Sequence, residues 1–284
     1  MRQNMKITVF TYLLLAIIAS TSCQKGLLEG GTDSNEIIIS VKGNPLTTDV
    51  VTKTTAVTSM PSGVYWAGTI GSSSYQSNKW SSSYNSVSSN TISTGYFQTN
   101  SPTAYNYYVS NVSMAHTYSG YTVIADGTLT DVIAGVAKAS TSIAPSVTLN
   151  HIFARTGTIR VSSSTGYTLS NVSVTIKSNS GAGYKGTYNI YSGTWSSVTA
   201  LSSTTLTDSS DLYLIPGSYT VTVSCTRQIG STYSQTFGGS TSVTLTAGKI
   251  NNISISLTGD PAVPINALVD IAPWGSVVVS GTAS

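Results

Sequence analysis

The chain has 284 residues, enough for two modest domains or one large one. Only 8% of the residues are charged, against about 25% in an ordinary globular protein, and this composition predicts β-sheets with Ser-, Thr- and Tyr-rich faces. Hydrophobic residues still make up 40% of the chain, which excludes a disordered chain. The net charge of +3 comes without a basic cluster, so the sequence also argues against a nucleic-acid-binding protein.

Residues 1–22 have the pattern of a secretory signal peptide. Arg2 and Lys6 provide positive charge, and residues 9–19 form an apolar stretch that is too short to span a membrane comfortably. Three small residues lead directly to Cys23, in an arrangement that resembles a bacterial lipobox, although Ser20 stands where Leu is usual. We therefore expect Cys23 to carry the lipid, including palmitate, and residues 23–35 to be a polar tether. The alternative is an ordinary signal peptide with an incidental cysteine.

The first strand is predicted over Glu36–Val41, where isoleucine and valine alternate with other residues on one face. Further strands are predicted at residues 64–67, 103–110 and 120–125. Between them, residues 71–94 are rich in Ser, Asn and Tyr and are typical of surface hairpins and loops. This stretch holds Trp80 and Tyr84, whose rings either stack on a sugar or, as we favour, pack in cross-strand pairs.

The segment Asp131–Lys138 allows a helical turn, and Asp126 and Asp131 are interpreted as turn and capping residues. Just past the midpoint, Val147–Val161 is interpreted as the start of a second β-sandwich.

The second half alternates clearly between apolar and polar residues. A Pro-Gly turn at 216–217 precedes YTVTVSC, a unit similar to those of transthyretin-like sandwiches, and residues 241–246 and 253–257 flank an Ala-Gly-Lys turn that predicts a hairpin. The frequent turns favour antiparallel sandwiches over βαβ units. We predict an all-β protein with two transthyretin-like antiparallel β-sandwich domains, at residues 36–146 and 147–284.

No pattern in the sequence indicates catalysis, a metal site or a cofactor. The two histidines, His116 and His151, have no second ligand at metal-binding spacing, and the acidic residues are scattered. Cys225 follows Val221 and Val223 on one strand face and is predicted to be a buried, inert thiol. An enzyme is therefore not expected, and a secreted hydrolase is the weakest hypothesis.

Two short motifs carry a resemblance to a known family. The chain reads DVIAG, a strand, HIFAR and another strand, with Asp131, Ala134, His151 and Ala154 at the characteristic places, and Trp274 follows a late strand. This pattern resembles the fimbrillin-like surface proteins of Bacteroidetes. The resemblance covers most of the chain from about residue 36 and implies a two-domain sandwich in which His151 packs or forms hydrogen bonds.

The resemblance also implies a mechanism of assembly into a fimbria, or pilus. A lipoprotein precursor reaches the cell outer membrane, a trypsin-like protease cuts after a basic residue, the first strand is lost, and a strand of the next subunit fills the groove. Here Glu36–Val41 would be lost after cleavage between Lys53 and Thr54, with Lys42 as the second candidate. The candidate donor strand comprises Ile265, Ala267, Val269, Ile271, Val277 and Val279.

The partners expected on this reading are other fimbrial subunits and, through the lipid anchor, the outer membrane. The alternative function is a monomeric surface lipoprotein that acts as a tip adhesin or a glycan-binding module. That protein would keep its lipid and bind a host glycan or protein, with Trp80 and Tyr84 as the stacking surface.

Overall fold

The computed structural model describes residues 36–43, 61, 63–70, 80–88, 90–97, 104–163, 167–207, 212–229, 233–257 and 266–273. Within these ranges all regular structure is β-strand, which confirms the all-β prediction. In this part of the chain there is therefore no helix that could span a membrane. Six predicted site residues lie outside the described residues: Cys23, Lys53, Thr54, Ile265, Val277 and Val279.

Nineteen strands are described. Nine lie in the first part of the chain: β1 (Glu36–Gly43), β2 (Gly63–Ile70), β3 (Trp80–Ser86), β4 (Thr91–Phe97), β5 (Tyr105–Ser110), β6 (Met114–Thr117), β7 (Gly120–Asp126), β8 (Ile133–Ser140) and β9 (Ser146–His151). Ten follow: β10 (Ala154–Ser163), β11 (Thr168–Ser178), β12 (Lys185–Asn189), β13 (Thr194–Thr199), β14 (Thr204–Leu206), β15 (Tyr213–Leu214), β16 (Gly217–Ile229), β17 (Tyr233–Leu245), β18 (Lys249–Leu257) and β19 (Asn266–Pro273).

The strands form four sheets. One has seven strands in the order β3-β2-β5-β8-β9-β1-β4, and three have four strands each, in the orders β15-β10-β18-β19, β14-β11-β16-β17 and β13-β12-β7-β6. Two strand pairs are parallel, β1 with β9 and β10 with β18, and the other described pairs are antiparallel.

The β15-β10-β18-β19 and β14-β11-β16-β17 sheets pack face to face as a β-sandwich. In β16, Tyr219, Val221, Val223 and Cys225 are buried while the residues between them face outward, because successive strand residues point to opposite faces. Ile253 and Ile255 of β18 meet them in the same core. The prediction of a buried thiol at Cys225 is confirmed. Burial raises the pKa of that thiol, and the positive charge of nearby Arg227 offsets only part of this increase.

The seven-stranded sheet encloses a core of its own. Buried residues from its two halves meet there, including Ile39 of β1, Trp66 of β2, Val109 of β5 and Leu149 of β9. Strands β8 and β9 are joined by only two residue pairs, Ile133–His151 and Ala134–Asn150. The sheet therefore changes direction at this short junction and covers both sides of one core.

The two parts of the chain also share a sheet. Strand β7 pairs with β12 from Asp126–Lys185 to Thr122–Asn189, and the buried face of this sheet packs on Phe153 and Ile215. Strand β9 begins at residue 146 and pairs with β1 and β8, so it belongs to the seven-stranded sheet and does not start the second sandwich. The division into domains 36–146 and 147–284 stays a prediction.

The hairpin predicted around residues 247–249 is wrong. Strand β17 pairs with β16, whereas β18 pairs with β10 and β19, so the chain crosses from one sheet of the sandwich to the other. The Asn251 side chain holds this crossing, since its Oδ1 accepts the Thr246 N–H at 3.0 Å and its Nδ2 donates to the Lys249 carbonyl at 3.0 Å. Gly248 has a φ of +62°, which suits glycine.

The helical turn considered for residues 131–138 is also wrong, because residues 133–140 form β8. This strand lies between β5 and β9, and its first residues are buried. Gly135 makes the position possible: a Cβ there would stand 2.0 Å from the carbonyl oxygen of Thr148. The segment is short and Ala-rich, and its helical pattern is weak. Backbone pairing with β5 and β9, together with the close approach of Gly135 to Thr148, therefore determines that it forms a strand.

Candidate assembly site

Strand β1 is an interior strand of the seven-stranded sheet, with a neighbour on each side. It runs antiparallel to β4, where Ile39 is opposite Ile92, and parallel to β9, where Val41 is opposite Val147. The first described strand and a strand more than 100 residues later in the sequence thus lie side by side. A sheet with its first strand in the interior would be split if that strand were removed.

The burial of β1 follows its alternating sequence. Ile37, Ile39 and Val41 are each at most 1% exposed, whereas Ile38, between them, is 43% exposed. The predicted strand and its predicted apolar face are therefore confirmed. Three buried branched side chains contribute about 5–9 kcal/mol, at about 1.5–3 kcal/mol each. Strand β1 is thus a main part of this core.

Backbone hydrogen bonds tie β1 to segments on both sides. The Ile38 and Ser40 N–H groups donate to the carbonyl oxygens of Ile143 and Pro145, each at 2.8 Å, and the Val41 N–H donates to Asn90 at 2.8 Å. The buried Thr94 hydroxyl donates to the Ile37 carbonyl at 2.7 Å. An empty β1 position would remove these donors from the carbonyls of Ile143, Pro145 and Asn90 and this acceptor from the Thr94 hydroxyl, so another strand would be needed to replace them.

The two candidate cleavage positions differ in their structural setting. Lys42 is exposed, but it lies inside β1 and is paired with Thr148. Lys53 falls between the end of β1 at Gly43 and the start of β2 at Gly63, outside the described residues. A protease needs an unpaired, extended segment, which disfavours Lys42 while β1 is in place.

The candidate donor residues Ala267, Val269 and Ile271 lie in β19, at the edge of its sheet. This strand pairs antiparallel with β18, with Val269 opposite Ile253 and Leu268 opposite Ser254. Within the described residues β18 is its sheet neighbour on one side, and the other side is a sheet edge. An edge strand with one neighbouring ladder is released more easily than an interior strand.

The motif residues Asp131 and His151 form a buried pair. The His151 Nδ1 lies 2.8 Å from Asp131 Oδ2, and both side chains are almost fully shielded from solvent. Beside them the Ile152 N–H donates to the Val132 carbonyl at 3.0 Å. Asp131 is therefore a buried partner of His151 rather than a turn residue. Asp126 does serve as a turn residue, since its Oδ1 accepts the N–H of Thr128 at 3.0 Å.

Trp80 and Tyr84 lie on β3, at the other edge of the seven-stranded sheet from β4. Trp80 is opposite Gly68 and Tyr84 is opposite Tyr65. The stacking role suggested for them stays a prediction.

Sequence reasoning did not identify β9 and β4 as the walls of the β1 position, and no local signal could have done so, because both contacts are long-range. In the described residues no cluster of His, Cys, Asp and Glu is arranged to hold a metal ion.

Solved structures of candidate cell adhesion proteins and of a fimbrial protein are similar to this chain. A candidate cell adhesion protein from Parabacteroides distasonis is 12% identical, with a TM-score of 0.53 over 87% of this chain and 99% of its own. A second one from the same species is 10% identical, with a TM-score of 0.50 over 84% and 98%. A fimbrial protein from Bacteroides vulgatus is 10% identical over 84% and 99%, with a TM-score of 0.47. Because these sequence identities are low, the similarity to the two Parabacteroides distasonis structures shows only a shared fold.

No protein-family model matches the chain, and no curated protein sequence matches it.

Proposed function

We propose that this protein is a structural, non-enzymatic subunit of a cell-surface fimbria, made as a lipoprotein precursor with its lipid on Cys23 and exported to the outer membrane. The observation that carries the proposal is the position of β1, an interior strand that is the first described element of the chain. The fold shared with candidate adhesion proteins of Parabacteroides distasonis supports a role at the cell surface.

Removal of β1 would open a groove between β4 and β9 whose floor is the core around Trp66 and Val109. The groove needs a strand with alternating apolar residues, because the pockets it offers are those of Ile37, Ile39 and Val41. The alternation of Ala267, Val269 and Ile271 in β19 meets this requirement. In the assembled fibre, β19 of one subunit would leave β18 and fill the β1 position of the next.

Cleavage after Lys53, directly before Thr54, would release all of β1, since the strand ends ten residues earlier in the chain. Cleavage after Lys42 would have to occur within the β1–β9 ladder. We therefore place the processing site at Lys53. Trimming also separates the subunit from the lipid on Cys23, so anchoring and polymerisation exclude each other in one molecule.

The N-terminal mass of the protein recovered from the cell surface tests the processing step. We expect a start at Thr54 and high-mass ladders that survive mild detergent. Lys53→Gln should abolish both, whereas the matched control Lys42→Gln should be trimmed and polymerise like the wild type. A lipid-modified Cys23 start on every molecule would contradict the proposal.

The donor step is tested by charges at successive positions of β19. Val269→Asp should prevent polymer formation after trimming, because a carboxylate cannot enter an apolar pocket without a large desolvation cost. Leu268→Asp, opposite Ser254 in the ladder, is the matched control and should polymerise. Thermal unfolding of both variants before trimming separates a folding defect from an assembly defect. Equal polymer yields from the two variants would refute donation by β19.

The second candidate function is a monomeric tip adhesin or glycan-binding lipoprotein. The observation that favours it is that β19 pairs with β18 in its own sheet, so this strand does not need a partner subunit to be part of a sheet. This protein would retain its lipid and bind its ligand at the β3 edge through Trp80 and Tyr84. Trp80→Ala and Tyr84→Ala would then lower ligand binding without changing the N-terminal mass.

A further inference from the structure

Two hairpin turns meet at one end of the β13-β12-β7-β6 sheet. The turn between β6 and β7 holds Tyr118 and Ser119, and residues 190–193 form the turn between β12 and β13. The Asn189 Nδ2 donates to the Ser119 hydroxyl at 2.8 Å, and the Ile190 N–H donates to the Tyr121 carbonyl at 3.0 Å. Side-chain and backbone bonds therefore fix the two turns to each other.

The turn after β12 is also held by hydrogen bonds of its own. The Asn189 Oδ1 accepts the N–H groups of Tyr191 and Ser192 at 2.9 and 3.0 Å. Gly120 has a φ of +115°, and a Cβ there would lie 2.9 Å from the Tyr108 hydroxyl and 3.4 Å from Tyr191 Cβ. The turns therefore pack too closely at Gly120 for a side chain at this position.

Two tyrosines, Tyr118 and Tyr191, lie in the joined turns. Tyr118 is 79% exposed, although it lies in a turn that is otherwise tightly bonded. Tyr191, in the neighbouring turn, is half-buried, and the Lys138 Nζ stands 4.2 Å from its ring centroid. An exposed aromatic ring beside a second, partly buried ring offers an apolar face on which a ligand can stack.

The polar groups around the rings are hydroxyls and amides. Ser119, Ser192 and Thr194 are exposed, and the last two hydroxyls lie 2.6 Å apart. Residues 114–122 and 188–195 contain no carboxylate. Groups that both donate and accept hydrogen bonds, next to aromatic faces, match the hydroxyls and the C–H faces of a sugar. Nucleic acid would require more cationic groups than Lys138 alone supplies.

We propose that the joined turns, here called the tyrosine platform and defined by Tyr118, Ser119, Asn189, Tyr191 and Ser192, bind a saccharide. One sugar ring stacks on Tyr118, and the hydroxyl groups of Ser119 and Ser192 bind its hydroxyls. Lys138 adds a positive charge beside the platform, so a sugar with a carboxylate or sulfate group binds more tightly than its neutral counterpart. This site is separate from β1 and does not depend on fibre assembly.

A printed array of neutral and acidic oligosaccharides, probed with the whole folded chain, tests the proposal. We expect binding to a defined subset of sugars. Tyr118→Ala should weaken binding of the best ligand about five- to tenfold, as expected for a lost aromatic stack, and Tyr118→Phe should retain most of it. Lys138→Gln should weaken binding of acidic sugars more than neutral ones.

Ile124→Ala is the matched control, because Ile124 is an exposed side chain on β7 of the same sheet but lies away from the turns. It should bind like the wild type. Binding of no sugar by the wild type, or equal binding by Tyr118→Ala and the wild type, would overturn the proposal. Tyr118→Ala should still be trimmed and polymerise, so failure of this site and failure of the fimbrial proposal are distinguishable.

Discussion

Tyr219 connects three segments of the C-terminal sandwich through its hydroxyl. The ring is fully buried in β16, and the hydroxyl oxygen lies 2.6 Å from the Ile215 carbonyl oxygen and 2.9 Å from that of Gly183. It also accepts the Gly183 N–H at 3.2 Å. The Gly183 carbonyl also accepts the Ile215 N–H at 2.7 Å, so the Tyr219 hydroxyl adds to a backbone contact between these two segments.

Tyr219→Phe tests this connection. The substitution keeps the ring and leaves the buried backbone groups of Gly183 and Ile215 without the hydroxyl, so we expect the free energy of unfolding to fall by about 1–3 kcal/mol. Chemical denaturation followed by tryptophan fluorescence measures it. Tyr118→Phe, at an exposed tyrosine, is the control and should change stability by less than about 0.5 kcal/mol. Equal effects would show that the buried hydroxyl contributes nothing.

The Asp131–His151 pair is expected to couple strongly, because both groups are buried. A double-mutant cycle with Asp131→Asn and His151→Gln should give a coupling free energy of about 1–3 kcal/mol. The matched cycle uses Asp126→Asn and Lys185→Gln, a 3.2 Å pair with a partly exposed lysine, and should give less than about 1 kcal/mol. The prediction fails if the exposed pair couples as strongly as the buried one.

Alkaline pH should destabilise the protein through its buried tyrosines. Burial raises the pKa of Tyr107 to about 12 and also raises that of Tyr219, whereas an unfolded tyrosine has a pKa of about 10. The unfolded chain therefore loses these protons first, and stability falls as pH rises above about 10. Denaturation midpoints measured from pH 8 to 11.5 should show the fall, and Tyr107→Phe should reduce it. A flat profile would contradict the prediction.

At the scale of the element, β1 combines two properties that are usually separate. It is an interior strand with a neighbour on each side, and it is also joined to the next described strand through a long connection, residues 44–62. Interior strands normally hold a sheet together, whereas a strand on a long connection can be removed by one cut. The proposed strand replacement requires that combination.

Ile39→Ala and Ile38→Ala measure how much the precursor depends on β1. Ile39 is fully buried and Ile38 is not. We expect Ile39→Ala to lower the free energy of unfolding by about 2–5 kcal/mol, as for a large-to-small change in a core. Ile38→Ala should cost less than about 1 kcal/mol. A small effect of Ile39→Ala would mean that the core does not rely on β1.

At the scale of the whole molecule, long-range pairing unites the chain. Strands β7 and β12 join residues from either side of the predicted domain boundary, and β9 brings Val147 and Leu149 into the same core as β1. We therefore expect a single cooperative unfolding transition. Tryptophan fluorescence and far-ultraviolet circular dichroism should give coincident curves, since the two parts of the chain cannot separate without breaking the β7–β12 ladder. Two resolved transitions would instead indicate independent domains.

Local sequence was sufficient to predict the all-β class, the strand at residues 36–41 with its buried face and the buried Cys225, because strand alternation depends only on neighbouring residues. Predictions from local sequence were wrong where the structure depends on contacts between residues that are far apart in the sequence. An Ala-Gly-Lys turn predicts a hairpin, but the crossing held by Asn251 sends β17 and β18 to different sheets. The sequence around Asp131 suggests a turn residue, but in the folded structure its carboxylate contacts His151.

The composition and alternation of this chain determined that it forms β-strands with one apolar face, since that preference acts within a few residues. Only the tertiary structure decided that β1 lies between β4 and β9, that Asp131 meets His151, and that two turns join at Asn189 and Ser119. These contacts link residues from 20 to more than 100 positions apart. They depend on how whole sheets pack, because strands of similar alternation can pair in many orders and only one order fills all the cores.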